Sequence, residues 1–293
     1  MSHLFVFGYG YSARRIGEEA LRLGWRVSGT RRSAEGVAEL EAMGISGHVF
    51  GGDAPSPGVG ARLATASHVL VSTPPQASGD PVLRHHRPDV VASESLEWIG
   101  YLSTTGVYGD REGAWVDESS RPRPETSRSR MRLAAERGWR EVATEADVPL
   151  QIFRLSGIYG AGRSALDRLR DGTARSIVSP DVVFNRIHVD DIAGAVVAGM
   201  RHPRVVGVLN VSDDEPAPPA DVYAHAAELM GRAPPPPVPL DEAELSPAAR
   251  SFYEENKRVR STRLATELGY ALRHPTYREG LASILAAEAE SGP

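Results

Sequence analysis

The chain has 293 residues, 41% of them apolar, enough to bury a full core as one large domain or as two unequal lobes. A formal net charge of −5 argues against nucleic acid or an anionic membrane as the main partner, and the absence of cysteine excludes disulfides and thiolate metal sites. The apolar start is too short for a signal core or a membrane span, so a cytoplasmic protein is expected.

Leu4 to Phe7 read as a buried parallel strand, followed at once by a Gly-x-Gly-x-x-Ala turn at Gly8, Gly10 and Ala13 and by a helix from about Ser12. Such a strand-turn-helix brings backbone N–H groups and the positive end of a helix dipole to a pyrophosphate, so Gly8, Gly10, Tyr11, Ser12 and Ala13 are expected to hold a dinucleotide. A helix ended by Gly24, a strand at 26–29, a helix at 33–43 stopped by Gly44 and a strand at 48–50 come next. Strands at 69–72, 98–103 and 150–154, with a helix at 127–145 before the last, complete the alternation. It marks an α/β fold: a Rossmann-type doubly wound parallel sheet.

Beyond Arg154 the pattern weakens. Short helices at 165–170, 192–200 and 222–230 and a strand at 206–211 suggest a small C-terminal substrate lobe. The expected division is 1–160 for the nucleotide domain and 161–293 for the lobe, with about 187–211 returning to the sheet. The proline run 234–237 reads as a stiff connector. At the end of the second strand, where a carboxylate would bind the ribose 2′-hydroxyl of NAD, stand Thr30, Arg31 and Arg32. Guanidiniums there suit a 2′-phosphate, so NADP is expected in preference to NAD.

Five further blocks, YLSTTGVYGD at 101–110, RLSGIYGAGR at 154–163, NRIHVDDIAGA at 185–195, LNVSDDEP at 209–216 and NKRVRSTRLATELGY at 256–270, span most of the chain. With the N-terminal turn they resemble the extended short-chain dehydrogenase/reductase superfamily, also called the NAD-dependent epimerase/dehydratase family, and within it the atypical YeeZ-like group. The resemblance implies an adenine contact at Asp53 and cofactor contacts at Ser72, Thr73, Pro74, Pro75 and Ser103. It implies further that the glycine group 157, 160 and 162 borders the nicotinamide. Conventional members carry a Tyr-x-x-x-Lys pair four residues ahead of a glutamate, which Glu136 places here at Arg128 and Arg132. A guanidinium stays protonated near neutral pH and cannot cycle a proton. Thr104 occupies the position of the family's catalytic Ser or Thr, and Tyr108 is a reserve acid whose other reading is packing.

Arg128 and Arg132, four apart, share a helix face: either both point into the cleft to grip an anion, or they belong to a solvated basic face. His85 and His86 diverge and make no shared metal site, and Asp190 is expected as a helix N-cap rather than a ligand. Asp117 and Glu118 are expected in a solvated loop. Two functions remain open: an NADP-dependent oxidoreductase or epimerase of atypical active site on a small polar, sugar-like substrate, and an NADP-binding redox sensor without turnover. A monomer or homodimer is expected, with no metal.

Overall fold

A computed structural model of the protein describes residues 2–179, 181–246, 250 and 252–291. In chain order the first half runs β1 (His3–Phe7), α1 (Tyr11–Arg22), β2 (Arg26–Arg31), α2 (Ala34–Ala42), β3 (Ser46–Val49), α3 (Val59–Leu63), β4 (His68–Val71), α4 (Pro81–Val91) and β5 (Trp98–Thr104). A 3-10 turn at Thr105–Tyr108 leads to β6 (Trp115–Val116), α5 (Ser127–Ala146), β7 (Leu150–Leu155) and β8 (Gly157–Tyr159). Then come α6 (Ala165–Arg170), β9 (Ser176–Val178), β10 (Arg186–His188), α7 (Val189–Arg201), β11 (Gly207–Val211) and α8 (Pro219–Leu229). The chain closes with β12 (Pro237–Pro239), β13 (Arg258–Val259), α9 (Thr262–Thr266) and α10 (Tyr277–Ser291).

Seven parallel strands form one sheet in the order β11-β7-β5-β4-β1-β2-β3. The chain winds outward from β1 in both directions, so the loops after β1 and β4 part at the sheet's carboxyl edge and leave a crevice there. Alternation along β1 explains its burial on both faces: Leu4 and Val6 join one apolar cluster, Phe5 and Phe7 the other. The first face is covered by α1 and α7, the second by α4 and α5. A third cluster, built on Leu166, Val222, Tyr277 and Leu281, forms the core of the C-terminal elements.

Four helices escape the sequence pattern, the short α3 and α9 and the longer α4 and α10. In α4 the apolar spacing is broken by His85, His86 and Arg87, and the helix is fixed instead by Asp80, whose Oδ1 accepts from the N–H groups of Val82 (2.8 Å) and Leu83 (3.2 Å). The other longer one is α10, whose apolar face completes the third cluster. The proline run does more than connect: Pro237–Pro239 pairs in parallel with Ser176–Val178. The free edge of β11 is blunted rather than left open. Arg263 donates to the carbonyls of Val208 (2.6 Å) and Val206 (3.0 Å), and Glu118 accepts from the Asn210 N–H (3.1 Å). Glu118 is therefore not solvated, contrary to expectation; burial pushes its carboxyl up. Its neighbour Asp117 holds a local turn by accepting from Ser119 and Ser120.

Candidate functional site

The turn after β1 has the form a pyrophosphate requires. Gly8 has φ +81°, and a Cβ there would lie 2.8 Å from the Thr73 Cγ2, so β4's loop packs directly on the turn. Gly10 differs: its backbone is extended, and a Cβ would meet nothing nearer than the Gly8 carbonyl oxygen at 4.0 Å. Open space thus faces the first turn of α1, which has no side-chain cap, while Ser12 and Ala13 are buried beneath it. These residues fit a dinucleotide. Thr30 supports the turn from below, its hydroxyl accepting from the Gly8 N–H (2.9 Å) and its carbonyl from the Tyr9 N–H (2.8 Å). Fully buried, it acts on the turn and not by direct contact. Arg31 reaches back, donating through Nη1 to the Tyr9 carbonyl (2.8 Å) and pairing through Nη2 with Glu39 (2.7 Å). Arg32 and Asp53 are exposed on the same rim.

Tyr11 ties this turn to the C-terminal elements: its hydroxyl donates to the Ala161 carbonyl (3.0 Å), and Arg163 lies 5.6 Å over its ring. Beyond this bridge opens a cleft of about 830 Å3, lined from the sheet side by Thr104, Arg128 and Ser156 and from the other by Arg163, Arg186 and Lys257. The buried Thr73 Oγ1 and Ser156 Oγ, which lie at the ends of β4 and β7, have no protein partner. Of the two, Ser156 lines the cleft, where a ligand would satisfy its hydroxyl.

Several expected site residues are engaged elsewhere. Thr104 Oγ1 accepts from the Gly106 N–H (3.1 Å) and so caps the 3-10 turn, although the residue still borders the cleft. Ser103 is buried, donating to Glu136 Oε1 at 2.6 Å. Tyr108 is fully buried: it donates to Asn210 Oδ1 (2.8 Å) and lies beneath Arg154, 4.8 Å from its ring. The two arginines of α5 part company. Arg128 faces the cleft over the Phe252 ring, whereas Arg132 folds back to donate to the Tyr101 hydroxyl (3.1 Å) and the Leu102 carbonyl (2.9 Å).

The helix cap at the start of α7 is His188, not Asp190. His188 Nδ1 accepts from the Asp190 N–H (3.2 Å), and Asp190 instead pairs with Arg15 of α1 at 2.7 Å. Sequence reasoning missed His274, which lies far along the chain yet packs against His188, with ring centroids 4.0 Å apart and planes tilted by 42°. Asp191 accepts from the Tyr270 hydroxyl, the Arg273 N–H, the His274 N–H and the His274 ring, between 2.6 and 3.1 Å. With its oxygens so filled, this His/Asp/His group works as a clamp on the 270–274 loop. His85 and His86 lie on α4, where His86 accepts from the Ser56 N–H at 3.1 Å.

Asp213, just past β11, was also missed. Neither carboxylate oxygen has a protein partner, and burial pushes its carboxyl up to about 8 against the pull of Arg186. A raised acid contributes stability that is complete below its ordinary value of about 3.9 and is lost as pH rises through about 8. Asp213→Asn is therefore expected to raise the melting temperature more at pH 9 than at pH 5. Equal shifts at the two values in a scanning fluorimetry comparison would show that the carboxyl ionises normally.

The class follows from these observations: a doubly wound fold with an uncapped turn of the dinucleotide-binding form at its switch point, and a cleft past the ends of β5 and β7, is a Rossmann-type fold. Across its length the chain is similar to proteins of the extended short-chain dehydrogenase/reductase, or NAD-dependent epimerase/dehydratase, superfamily. It is 45% identical to a conserved protein of unknown function from Silicibacter pomeroyi, across 98% of this chain and 99% of that one, with a TM-score of 0.90. A structure from Methylobacillus flagellatus, assigned by inference as an NAD-dependent epimerase/dehydratase, is 25% identical over 98% of each chain at a TM-score of 0.72. Among curated proteins, YeeZ of Escherichia coli is 24% identical across 94% of this chain and 97% of its own length. A 3-diazoavenalumate denitrifying reductase from Streptomyces is 30% identical over 154 residues, 48% of each chain. No family model matches the sequence. Among the described residues no helix is long and apolar enough to cross a membrane.

Proposed function

We propose that the chain is an NADP(H)-dependent oxidoreductase or epimerase/dehydratase acting on a small, polar, anionic, sugar-like substrate. The carrying observation is the uncapped turn at Gly10 opening beside a cleft whose cations, Arg128, Arg163, Arg168, Arg175, Arg186 and Lys257, face one carboxylate, Glu255. Guanidinium forks suit carboxylates and phosphates. A bound nicotinamide would supply or accept the hydride. The chain's own part is to seat the pyrophosphate on α1, hold the 2′-phosphate with Arg31 and Arg32, and anchor the substrate's negative group away from the sheet. Residues 1–160 would form the nucleotide domain and 161–293 the substrate lobe. The protein would work in the cytoplasm as a monomer or homodimer, without nucleic acid or membrane partners.

Arginine at both 128 and 132 favours the alternative, an NADP-binding sensor without turnover. The open cavity favours chemistry, because a sensor needs no substrate-sized space beside its nucleotide. Charge-assisted contacts to a 2′-phosphate contribute about 1.5 to 3 kcal/mol, so NADPH is expected to bind roughly tenfold to a hundredfold more tightly than NADH. In calorimetric titrations, Arg31→Ala/Arg32→Ala is expected to erase that difference. Glu39→Gln, which frees Arg31 from its surface partner, is expected to widen it. Equal wild-type affinities for the two nucleotides would defeat the assignment.

A further inference from the structure

Of the chain's 33 basic residues one is a lysine, Lys257. Everywhere else, solvated or paired, the chain uses arginine, and only in the cleft does it keep an ammonium. The two cations differ in one chemical respect above others: a guanidinium is too weak an acid to hand its proton to a substrate, whereas an ammonium can serve as a proton donor. Lys257 is confined. Its side chain is 9% exposed, and Nζ donates to Glu255 Oε2 at 2.7 Å.

The segment that carries it is held from both sides. The Asn256 N–H donates to Asp110 Oδ1 (2.7 Å), and its carbonyl accepts from the N–H groups of Arg111 (2.9 Å) and Gly113 (3.0 Å). Asn185, on the cleft wall, donates to the Lys257 carbonyl (2.8 Å) and accepts from the Val259 N–H (2.7 Å). Such support is what a group that must meet a reacting atom needs. Competing proton carriers are less suited. Thr104 is a cap, Tyr108 is sealed in the core, and burial pushes three of the four cleft phenols, Tyr159, Tyr253 and Tyr277, up, while the fourth, Tyr223, lies on α8.

We propose that Lys257, its ammonium oriented by Glu255, delivers and removes the substrate proton in this cleft, the task that Arg128 and Arg132 cannot perform. This rests on the oxidoreductase reading above. In the reducing direction a substrate carbonyl carbon gains a hydride from a reduced nicotinamide, its C=O π pair moves to oxygen, and that oxygen takes a proton from Nζ. The neutral amine regains its proton from water beside the Glu255 carboxylate. Oxidation reverses each transfer.

The test compares full-length wild type, Lys257→Arg, Lys257→Met/Glu255→Gln and Tyr253→Phe. Acetic anhydride on the folded, NADPH-saturated protein, followed by peptide mass mapping, is expected to acetylate Lys257; modification only after denaturation would overturn the proposal, since Nζ would then not face the cleft. NADPH affinity, measured separately, is expected to be the same in all four proteins, and its absence from wild type would defeat the oxidoreductase reading instead. Against a panel of sugar and aromatic ketones, both Lys257 variants are expected to lose at least about 100-fold in kcat with KM nearly unchanged, while Tyr253→Phe, which trims the cleft wall, loses less than about tenfold. Retention of wild-type kcat in Lys257→Arg, or a comparable loss in Tyr253→Phe, would overturn the proposal.

Discussion

Gly10→Val is expected to abolish nucleotide binding while leaving the fold intact, because its two consequences separate in this structure. The Gly10 backbone is extended, with φ −96°, and the protein atoms nearest a Cβ are at van der Waals distance, so valine fits the empty turn. The space it would fill is the one through which a pyrophosphate approaches the α1 N–H groups. We expect NADPH affinity to fall by at least about 100-fold, or ~2.7 kcal/mol. Wild-type protein at nucleotide concentrations near 100 times Kd should gain a similar ~2.7 kcal/mol of stability, and the variant should gain none. Gly8→Ala makes the control. Its φ of +81° and the Thr73 contact strain any side chain, so the nucleotide-free protein should itself melt lower. Unchanged NADPH affinity in Gly10→Val would move the phosphate site elsewhere.

Arg154→Met is expected to be the most destabilising single substitution among those considered. Arg154 and Glu136 are 3% and 0% exposed, joined through Nε–Oε1 (3.0 Å) and Nη2–Oε2 (2.8 Å), and the same glutamate accepts from Ser103. Removing the guanidinium leaves a carboxylate buried among β5, β7 and α5 with its main charge partner gone. Such a loss costs about 3–5 kcal/mol, a fall in melting temperature on the order of 10 °C for a chain of this size. The double variant Arg154→Met/Glu136→Leu should recover most of it, since replacing both partners with apolar groups is often neutral. A loss below about 1 kcal/mol in urea unfolding of the single variant would mean that water reaches the pair.

The contrast between Arg128 and Arg132 shows where reading the sequence ended. Their spacing places them on one helix face, but spacing does not say what that face meets. The start of α5 overhangs the cleft and leaves Arg128 facing it, while one turn further the helix lies on β5 and the Tyr101 ring captures Arg132. Tyr108 follows the same logic. Its family block was legible, yet whether its hydroxyl meets a substrate or Asn210 depended on β11, which enters the sheet a hundred residues later.

By itself the sequence determined the features that local chemistry encodes: the strand-turn-helix at Gly8 to Ala13, the central strands, the paired arginines at 31 and 32, and arginines at 128 and 132 four residues apart on one helix. Each depends on residues within about one turn or strand of one another, where backbone geometry and periodicity suffice. Tertiary structure alone decided which polar groups remain free. Glu118 became a cap on a sheet edge, His188 and His274 came into ring contact, the Asp213 carboxylate was buried, and Lys257 came to line one cleft with Thr104. The availability of a hydroxyl, carboxylate or amine is set by what distant segments bring against it, and no local pattern records that.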